Sequence, residues 1–397
     1  MSLTRARAAV PLWLQFAVLW FAGMDLRLTL LAVPPVIPIL HRELHLNETA
    51  VGALSGIPVL ILGLAAIPGS LVIARLGAKR ALLIGIVLVA VASGLRGAGN
   101  NVVVLFVMTV IMGVGIAGMQ PAFPALVHEA YPSRIAVATS VWANGLLVGE
   151  ALAASLTLPF VLPLVGGRWQ WAFALWSVPV ALTALAVALL VPSSHKHAGR
   201  PRAWLPNWRD QRLWEVGVLQ STASLIYFGA NTFVPDYLHA THQAPLVAPA
   251  LAALNIGQLP ASLAIGLLPW RVIARRENCF VVAAAIAVAL WGLLVVGGWA
   301  TIAATGCFGF CAAFILVLSF AMPAMLAEGP DVARMSAGIF TISYLIAFVA
   351  TLAAGAAWDR THVLATAFLP LGLALAIIAA VGPRVMGRAT RTTHEPR

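Results

Sequence analysis

The residue of this chain with the most specific chemistry is Arg27, which stands in the middle of a long apolar stretch. A guanidinium there costs several kcal/mol unless it faces water, a partner or a ligand. Its planar fork of N–H donors stays charged and matches the geometry of a planar anion. Arg27 is therefore a candidate anchor for a small anionic or strongly polar ligand. The alternative is a structural ion pair with Asp25 or Glu150, which a bound ligand could displace.

Two carboxylates also lie inside apolar stretches. Glu150 follows Gly149 in the middle of one stretch, and Asp25 lies two positions before Arg27. A buried carboxyl can lose its charge by taking up a proton, so either residue could couple a proton to transport. Glu150 is the better candidate, although a bridge to Arg27 would explain it equally well. Asp25 is about 200° round a helix from Arg27, so we expect it to pack against a polar neighbour in another helix.

A polar stripe in a later apolar stretch could complete a binding site. Gln220, Tyr227 and Asn231 are seven and four residues apart, so they share one face of a helix. A polar face on an otherwise apolar helix should turn toward protein or water, where it can orient a ligand by hydrogen bonds. Four further polar residues in apolar stretches are weaker candidates: Gln120, Asn255, Gln258 and Ser343.

The composition assigns the chain to the membrane. Of its 397 residues, 61% are hydrophobic and only 9% are charged, whereas soluble domains carry about 25% charged residues. A helical crossing needs about 20 apolar residues, and twelve such stretches predict an all-α membrane protein with twelve transmembrane helices. The stretches are 11–39, 49–74, 81–100, 102–127, 136–165, 169–191, 213–238, 247–269, 279–298, 300–326, 335–357 and 362–382.

The chain divides into two similar halves of six predicted helices. A polar, basic connection, 192–212, is the predicted cytoplasmic central loop between an N-terminal bundle (1–191) and a C-terminal bundle (213–397) with a short cytoplasmic tail. At an offset of 200, the segments that begin at Arg134 and Arg334 resemble each other, which indicates two pseudo-symmetric bundles around a midplane site. At that offset Asn144 corresponds to Tyr344. These two residues and Trp142 are candidates either for lining the cavity or for helix packing.

Lysine and arginine are distributed unevenly between the predicted turns. If the N-terminus is cytoplasmic, 19 of the 24 lie in cytoplasmic segments and three in outer turns. Positive charge accumulates on the cytoplasmic side, so we expect a multi-pass protein of the inner (plasma) membrane with both termini cytoplasmic. The other two are Arg27 and Arg96. Arg96 is expected within a turn of the outer surface, where it could extend to the interface or attract anions.

Several local strings are characteristic of a known family. With them, nearly the whole chain resembles the major facilitator superfamily, and within it the branch of cyanate permeases and 2-nitroimidazole transporters. The resemblance implies two six-helix bundles and transport by alternating access. Asp25 stands where this branch usually has asparagine. The strings are Asp25-Leu26-Arg27, the prolines at positions 34, 35 and 38, Leu95-Arg96, Gly167-Arg168-Trp169-Gln170-Trp171-Ala172, and the course from Gln220 through Tyr227 to Pro235.

The turn between the second and third predicted helices carries a shorter motif of the same superfamily. Arg75, Gly77, Lys79 and Arg80 keep its arginine, glycine and cations, and the resemblance implies a gating role for them at the cytoplasmic turn. Ala74 stands where the motif usually has an aspartate, which normally pairs across the cytoplasmic face. The sequence therefore leaves open how that face is held closed.

Together the residues and the resemblance predict a secondary active transporter that moves a small polar or anionic organic solute by alternating access. Protons, carried by Glu150 or Asp25, are the candidate coupling ion. Export of drug-like compounds is the alternative within this class, and a non-transporting membrane receptor or enzyme is the alternative outside it. An enzyme would need His and acidic residues clustered at one depth, which the sequence lacks, so no enzyme is predicted.

The expected partners are few. They are a small-molecule substrate, protons and the lipid bilayer, and the chain is expected to act as a monomer without a cofactor, a metal or nucleic acid. Cys307 and Cys311 are one helical turn apart and could share a soft metal, but no His or acid accompanies them. They are expected to be small buried hydrophobic side chains.

Overall fold

The computed structural model describes residues 10–46, 48–191, 203–329 and 331–392, and the regular elements within these ranges are all helical. The repeated apolar runs of the sequence account for this, since a backbone in lipid must satisfy its own hydrogen bonds. The long helices are α1 (Leu12–Leu28), α2 (Glu48–Leu64, continued by Ala66–Leu76), α3 (Ala78–Leu95), α4 (Val102–Ala130), α5 (Ile135–Leu156), α6 (Trp169–Leu190), α7 (Gln211–Ala240), α8 (Val247–Leu267), α9 (Arg276–Trp291), α10 (Trp299–Leu326), α11 (Asp331–Thr361) and α12 (Leu369–Thr392).

Short helical segments connect or extend the long helices. A short α-helix, Ile37–Leu44, lies between α1 and α2, and two π-helical turns continue α5 and α9. The 3-10 turns are Pro34–Val36, Ala98–Asn100, Pro132–Arg134, Ala244–Leu246 and Leu364–Phe368; the π turns are Thr157–Val161 and Gly292–Val296; the remaining short helices are Leu162–Leu164 and Trp270–Ile273.

Most of the long helices could cross a membrane by their length and composition. Among the described residues nine helices pass this test, and a tenth span results if the pair Ile57–Leu64 and Ala66–Leu76, bent by 45°, counts as one. Helices α1 and α7 fall outside the test but pack with the others, so the structure fits the predicted count of twelve.

The packing of the helices repeats between the two halves. Helix α1 packs along α5 as α7 packs along α11, α2 contacts α4 as α8 contacts α10, and α3 contacts α6 as α9 contacts α12. Each pair in the second half is the first-half pair advanced by six helices. The two pseudo-symmetric bundles predicted from the sequence offset are therefore confirmed, while the exact bundle boundaries stay a prediction because 192–202 lies outside the described residues.

Contacts between the halves come from a small set of helices. Helix α5 packs against α8, α2 packs against α11, and α4 contacts both α10 and α11. These helices form the boundary between the two bundles.

The first predicted span is broken. Helix α1 ends at Leu28, turns replace the helix over 29–33, and the chain resumes with Pro34–Val36 and Ile37–Leu44. Proline has no N–H to donate and does not continue a preceding helix, so the pair at 34 and 35 explains the break. The apolar stretch 11–39 is therefore a single helix only as far as Leu28, and Arg27 lies in the last turn of α1 instead of mid-helix.

Glycines allow α1 and α5 to approach closely. A Cβ built on Gly145 would overlap the backbone carbonyl of Trp20, and one on Gly23 would overlap that of Trp142. Both glycines face backbone, which cannot move aside as a flexible side chain can. The contact therefore fixes the distance between the helix that carries Arg27 and the helix that carries Glu150.

Gly145→Val should separate these two helices and destabilise the protein by about 1–3 kcal/mol, the usual cost of overpacking. The measurement is the thermal unfolding midpoint of the detergent-purified protein. Gly372→Val is the matched control, since a Cβ at this helical position meets nothing within 4 Å. Equal midpoints for the two variants would contradict a tight α1–α5 contact.

Candidate functional site

A cavity of about 870 Å³ lies between the two bundles and holds four of the predicted binding or coupling residues. Arg27 comes from α1, Glu150 from α5, and Tyr227 and Asn231 from α7. The rest of the wall is mostly apolar. Its larger apolar side chains are Leu30, Leu31, Leu54, Val59, Phe228, Phe233, Leu251, Phe348 and Leu352.

The cavity extends toward one side of the molecule. Its wall continues through Val33 and Pro34, beyond the end of α1, and through Ala356 and Asp359 in the last turns of α11. This side is opposite to the turn between α2 and α3. With the predicted topology it is the outer side.

Arg27 is the central polar group of the site. It is 7% exposed, its Nη2 donates to the hydroxyl of Tyr344 at 3.2 Å, and its Nε has no hydrogen-bond partner. Gln120 donates to the same hydroxyl from α4 at 2.7 Å. The Tyr344 oxygen thus joins residues of α1, α4 and α11, which come from both bundles.

Glu150 lies close enough to Arg27 for their charges to interact, but the two do not form a direct ion pair. Its carboxyl is in side-chain contact with Tyr227 and with Gln258 of α8. A second, small cavity of about 20 Å³ shares Arg27, Glu150 and Tyr227 with the large one and reaches Gln258 and Tyr344. The guanidinium therefore has a nearby countercharge and still keeps an N–H without a partner.

The predicted stripe on α7 enters the site only in part. The Tyr227 hydroxyl donates to Asn255 of α8 at 3.2 Å, and Asn231 donates to the Tyr227 carbonyl at 3.0 Å. Gln220 is 1% exposed and is not among the residues that line the large cavity. The three residues share one face of α7 but lie at different heights along it. Tyr227 and Asn231 reach the cavity, whereas Gln220 is packed in protein. A ligand contact for Gln220 is not supported by this placement.

Trp142 and Asn144 pack between helices and do not line the large cavity. Asn144 accepts from Trp20 Nε1 at 2.8 Å and donates to Ser262 at 2.9 Å, which links α1, α5 and α8. The indole of Trp142 is completely buried. Of the two roles predicted for this pair, the structure supports helix packing.

A column of aromatic side chains separates the cavity from the side of the α2–α3 turn. Trp142 stacks between Phe123 and Phe320 with centroid distances of 4.6 Å on both faces. Phe320 then contacts Phe340 at 5.4 Å, and Phe340 stacks on Tyr344 at 6.2 Å. The column crosses from one bundle to the other and ends at Tyr344, whose hydroxyl accepts the hydrogen bond from Arg27.

Three hydrogen bonds also hold this side closed, and the first of them lies beside the column, where Gly63 is next to Tyr344. Thr341 of α11 donates to the Gly63 carbonyl of α2 at 2.7 Å, and Ser70 donates to the Trp204 carbonyl at 2.6 Å. The ring of His128 bonds the Ala324 carbonyl at 2.8 Å. These bonds connect the halves, or the first half and the central connection, without the aspartate that Ala74 replaces.

Thr341→Val keeps the shape of the side chain and removes one of these bonds. The loss of about 1 kcal/mol should shift the balance between closed and open forms of this side about fivefold. Amide hydrogen exchange at the start of α11 would report the shift. Thr305→Val is the matched control because the buried Thr305 hydroxyl bonds carbonyls of its own helix, α10. Equal exchange at the start of α11 in both variants would contradict the role of Thr341.

The cationic turn after α2 has local contacts. Gly77 has φ +85°, a left-handed conformation suited to glycine, and it ends α2 and precedes α3. Lys79 donates to the carbonyls of Ala188 and Val191 at the end of α6, at 3.0 and 2.6 Å. Arg75 and Arg80 are exposed. A gating role for these residues stays a prediction.

Asp25 and Arg96 are both fully buried in the first bundle. Asp25 lies beside Thr183 of α6 and does not line the cavity, as expected from its position on α1. The prediction that Arg96 extends to the outer surface is wrong. Its Nη2 donates to the Thr29 carbonyl at 2.6 Å, and its guanidinium lies over the Phe173 ring at 4.4 Å.

The sequence missed several residues of the cavity wall, Arg96 among them. Thr351, Gly355 and Asp359 are four residues apart on α11, a spacing that places them on one face. That regular spacing is the signal that could have identified this wall. Thr109 and Thr232 also line the cavity, but isolated threonines in apolar helices give no comparable signal.

Comparisons with known proteins agree with this architecture. The model of the Major Facilitator Superfamily matches residues 16–351. The chain is 26% identical to the uncharacterized transporter YycB of Bacillus subtilis over 378 residues, 93% of this chain and 92% of that protein. It is 25% identical to the cyanate transport protein CynX of Escherichia coli (62% and 64% covered) and 24% identical to the 2-nitroimidazole transporter of Escherichia coli (81% and 82% covered).

Solved structures share the fold at lower identity. The transporter FucP in its outward conformation has a TM-score of 0.73 at 14% identity, with 93% of this chain and 98% of that chain covered. The human organic anion transporter MFSD10 has a TM-score of 0.74 at 14% identity, with 94% and 100% covered.

Proposed function

Because the chain belongs to the Major Facilitator Superfamily, we propose that it is a secondary active transporter that moves a small polar or anionic organic solute across the inner membrane by alternating access. The observation that carries this proposal is the position of Arg27 on the wall of the cavity between the bundles, with an unpartnered Nε and no direct carboxylate contact. In this proposal the chain acts as a monomer with both termini cytoplasmic, and no enzymatic activity is assigned.

The chemistry of the wall favours an organic anion. A guanidinium binds planar anions through two parallel hydrogen bonds, and its charge is worth more in a cavity with few polar groups than in water. The apolar side chains of α2, α7 and α11, and of the turns after α1, would cover the body of such a solute. Cyanate and 2-nitroimidazole, the compounds in the names of two relatives, are both small and polar.

Glu150 supplies a way to couple the solute to protons. When Glu150 is charged, it competes with an anionic solute for the field of Arg27. When a proton neutralises Glu150, Arg27 is free to hold the solute. A proton and an anion would then bind together and cross together, so that the anion accumulates against its gradient.

Export of a drug-like compound is the second candidate function. It is favoured by the aromatic and aliphatic wall, which includes Phe228, Phe233 and Phe348, and by the cavity volume of about 870 Å³. A drug-sized ligand fits a pocket of about 300–1,000 Å³. Such a solute would not require the charge of Arg27.

Ligand-induced thermal stabilisation of the detergent-purified protein tests the two candidates. The probes are benzoate and its uncharged analogue benzamide, together with cyanate and 2-nitroimidazole. A ligand at 100 times its Kd adds about 2.7 kcal/mol to the stability of the folded state. Stabilisation by benzoate or cyanate but not by benzamide supports the anion proposal, whereas equal stabilisation by benzamide favours export of uncharged compounds.

A further inference from the structure

We infer that Arg96 is a positioning residue, whose guanidinium caps the broken end of α1 and so fixes Arg27 at the ligand. The inference rests on the proposed function for the role of Arg27, but not for the cap itself. It concerns a residue that lines the cavity and yet is completely buried.

The break in α1 creates the need for a cap. A helix end leaves its last carbonyls without backbone partners. Past the last turn of α1, the amide of Leu31 donates to the Arg27 carbonyl at 2.9 Å, and Pro34 prevents the helix from continuing. The Thr29 carbonyl, two residues beyond Arg27, receives its hydrogen bond from Nη2 of Arg96 at 2.6 Å.

The surroundings of Arg96 explain how its charge is tolerated. The guanidinium lies 4.4 Å from the centre of the Phe173 ring and also donates to Ser93 at 3.3 Å. It forms no salt bridge with a carboxylate of the described residues. The carbonyl end of a helix carries about half a negative charge, so α1 itself provides the countercharge. The cap and the helix end therefore stabilise each other.

This arrangement ties the ligand site to α3. Arg96 directly follows α3, and its hydrogen bond holds the turn that leaves α1. Without the bond, the end of α1 could shift relative to Tyr344 and Glu150, which lie on other helices. A displacement of about 1 Å at a binding group is enough to weaken a ligand contact strongly.

Direct contact with the solute is the competing role for Arg96. Its Nε and Nη1 have no hydrogen-bond partner, but both atoms are buried. A cap acts on the backbone when no ligand is present, whereas a ligand contact acts only when one is bound. The two roles can therefore be separated in the empty protein.

Hydrogen–deuterium exchange of the purified, ligand-free protein provides this test. In Arg96→Met we expect amides at positions 28–33 to exchange about tenfold faster than in the original protein, consistent with the loss of a hydrogen bond to a charged group. Arg96→Lys, which keeps a charge and a donor, should restore part of the protection. Arg168→Met is the matched control, since Arg168 is exposed on the same bundle.

Benzoate affinity, measured by thermal shift, provides the second readout. Positioning predicts about a tenfold weaker affinity in Arg96→Met with partial rescue in Arg96→Lys, alongside the local change in exchange. Weaker affinity with unchanged exchange at 28–33 would overturn the cap in favour of direct ligand contact. Faster exchange throughout α3 and α6 would also overturn it, because Arg96 would then stabilise the whole bundle and not the end of α1. If neither benzoate nor cyanate binds the original protein, the anion proposal fails, and the exchange result alone decides the cap.

Discussion

Arg27→Ala should weaken the binding of an anionic solute by about a hundredfold or more while the protein still folds. Two charge-assisted hydrogen bonds contribute about 1.5–3 kcal/mol each, and a loss of about 2.7 kcal/mol is a hundredfold change in affinity. The substitution also removes a buried charge and leaves space that water can enter from the cavity, so the fold should tolerate it. Thermal shift with benzoate and uptake into proteoliposomes would both measure the loss.

Two further variants make this result specific. Arg27→Lys keeps the charge but not the planar fork of donors, so its affinity should fall between those of alanine and arginine. Arg168→Ala removes an exposed arginine of the same bundle and should leave affinity unchanged. Unchanged benzoate affinity in a well-folded Arg27→Ala protein would end the anchor role. Because Tyr344 loses a donor in this variant, the unfolding midpoint without ligand must be compared as well.

The residues that sequence reasoning brought together correctly are those whose burial is costly. Arg27 and Glu150 could be singled out because an ionisable group in an apolar helix must face a cavity or a partner. Both line the cavity, as does Tyr227, which shares the helix face of Asn231. The repeat between the halves could also be recognised from the sequence, because two bundles of the same fold keep the same order of helices.

Sequence reasoning could not separate burial in protein from burial at a cavity, because the two have the same sequence pattern. Trp142 is aromatic and Gln220 carries an amide, and each lies in an otherwise apolar helix. Both side chains are packed between helices. Arg96 could not be placed because its partner is the Thr29 carbonyl, which becomes available only where α1 breaks. Such a bond depends on backbone geometry and leaves no trace in residue types or spacing.

The position of the closed side also lies beyond sequence reasoning. The contact between Thr341 and the Gly63 carbonyl involves a backbone acceptor, and the stack of Trp142 on Phe320 joins residues far apart in the chain. Both depend on how the two bundles meet. Neutral hydrogen bonds and aromatic packing thus link the two bundles on this side, where position 74 carries alanine instead of the usual aspartate.

Glu150→Gln should abolish proton-driven accumulation of the solute while exchange of solute across the membrane continues. Glutamine keeps the size of the side chain and its contacts with Tyr227 and Gln258, but it cannot gain or lose a proton. Without the competing charge, Arg27 should hold an anion at least as well as before, and binding should no longer depend on pH. Proteoliposomes with an imposed pH gradient would measure accumulation, and counterflow of labelled solute would measure exchange.

Asp25→Asn is the matched control, because Asp25 is the other candidate carrier and lies beside Thr183 rather than on the cavity wall. We expect this variant to accumulate solute normally, since a proton on Asp25 would not change the field at the bound anion. The opposite pair of results, with accumulation lost in Asp25→Asn and kept in Glu150→Gln, would move the coupling site to the interface of α1 and α6. Accumulation that survives in both variants, and in the double variant, would mean that neither carboxyl carries the proton and that Glu150 serves only as the countercharge of Arg27.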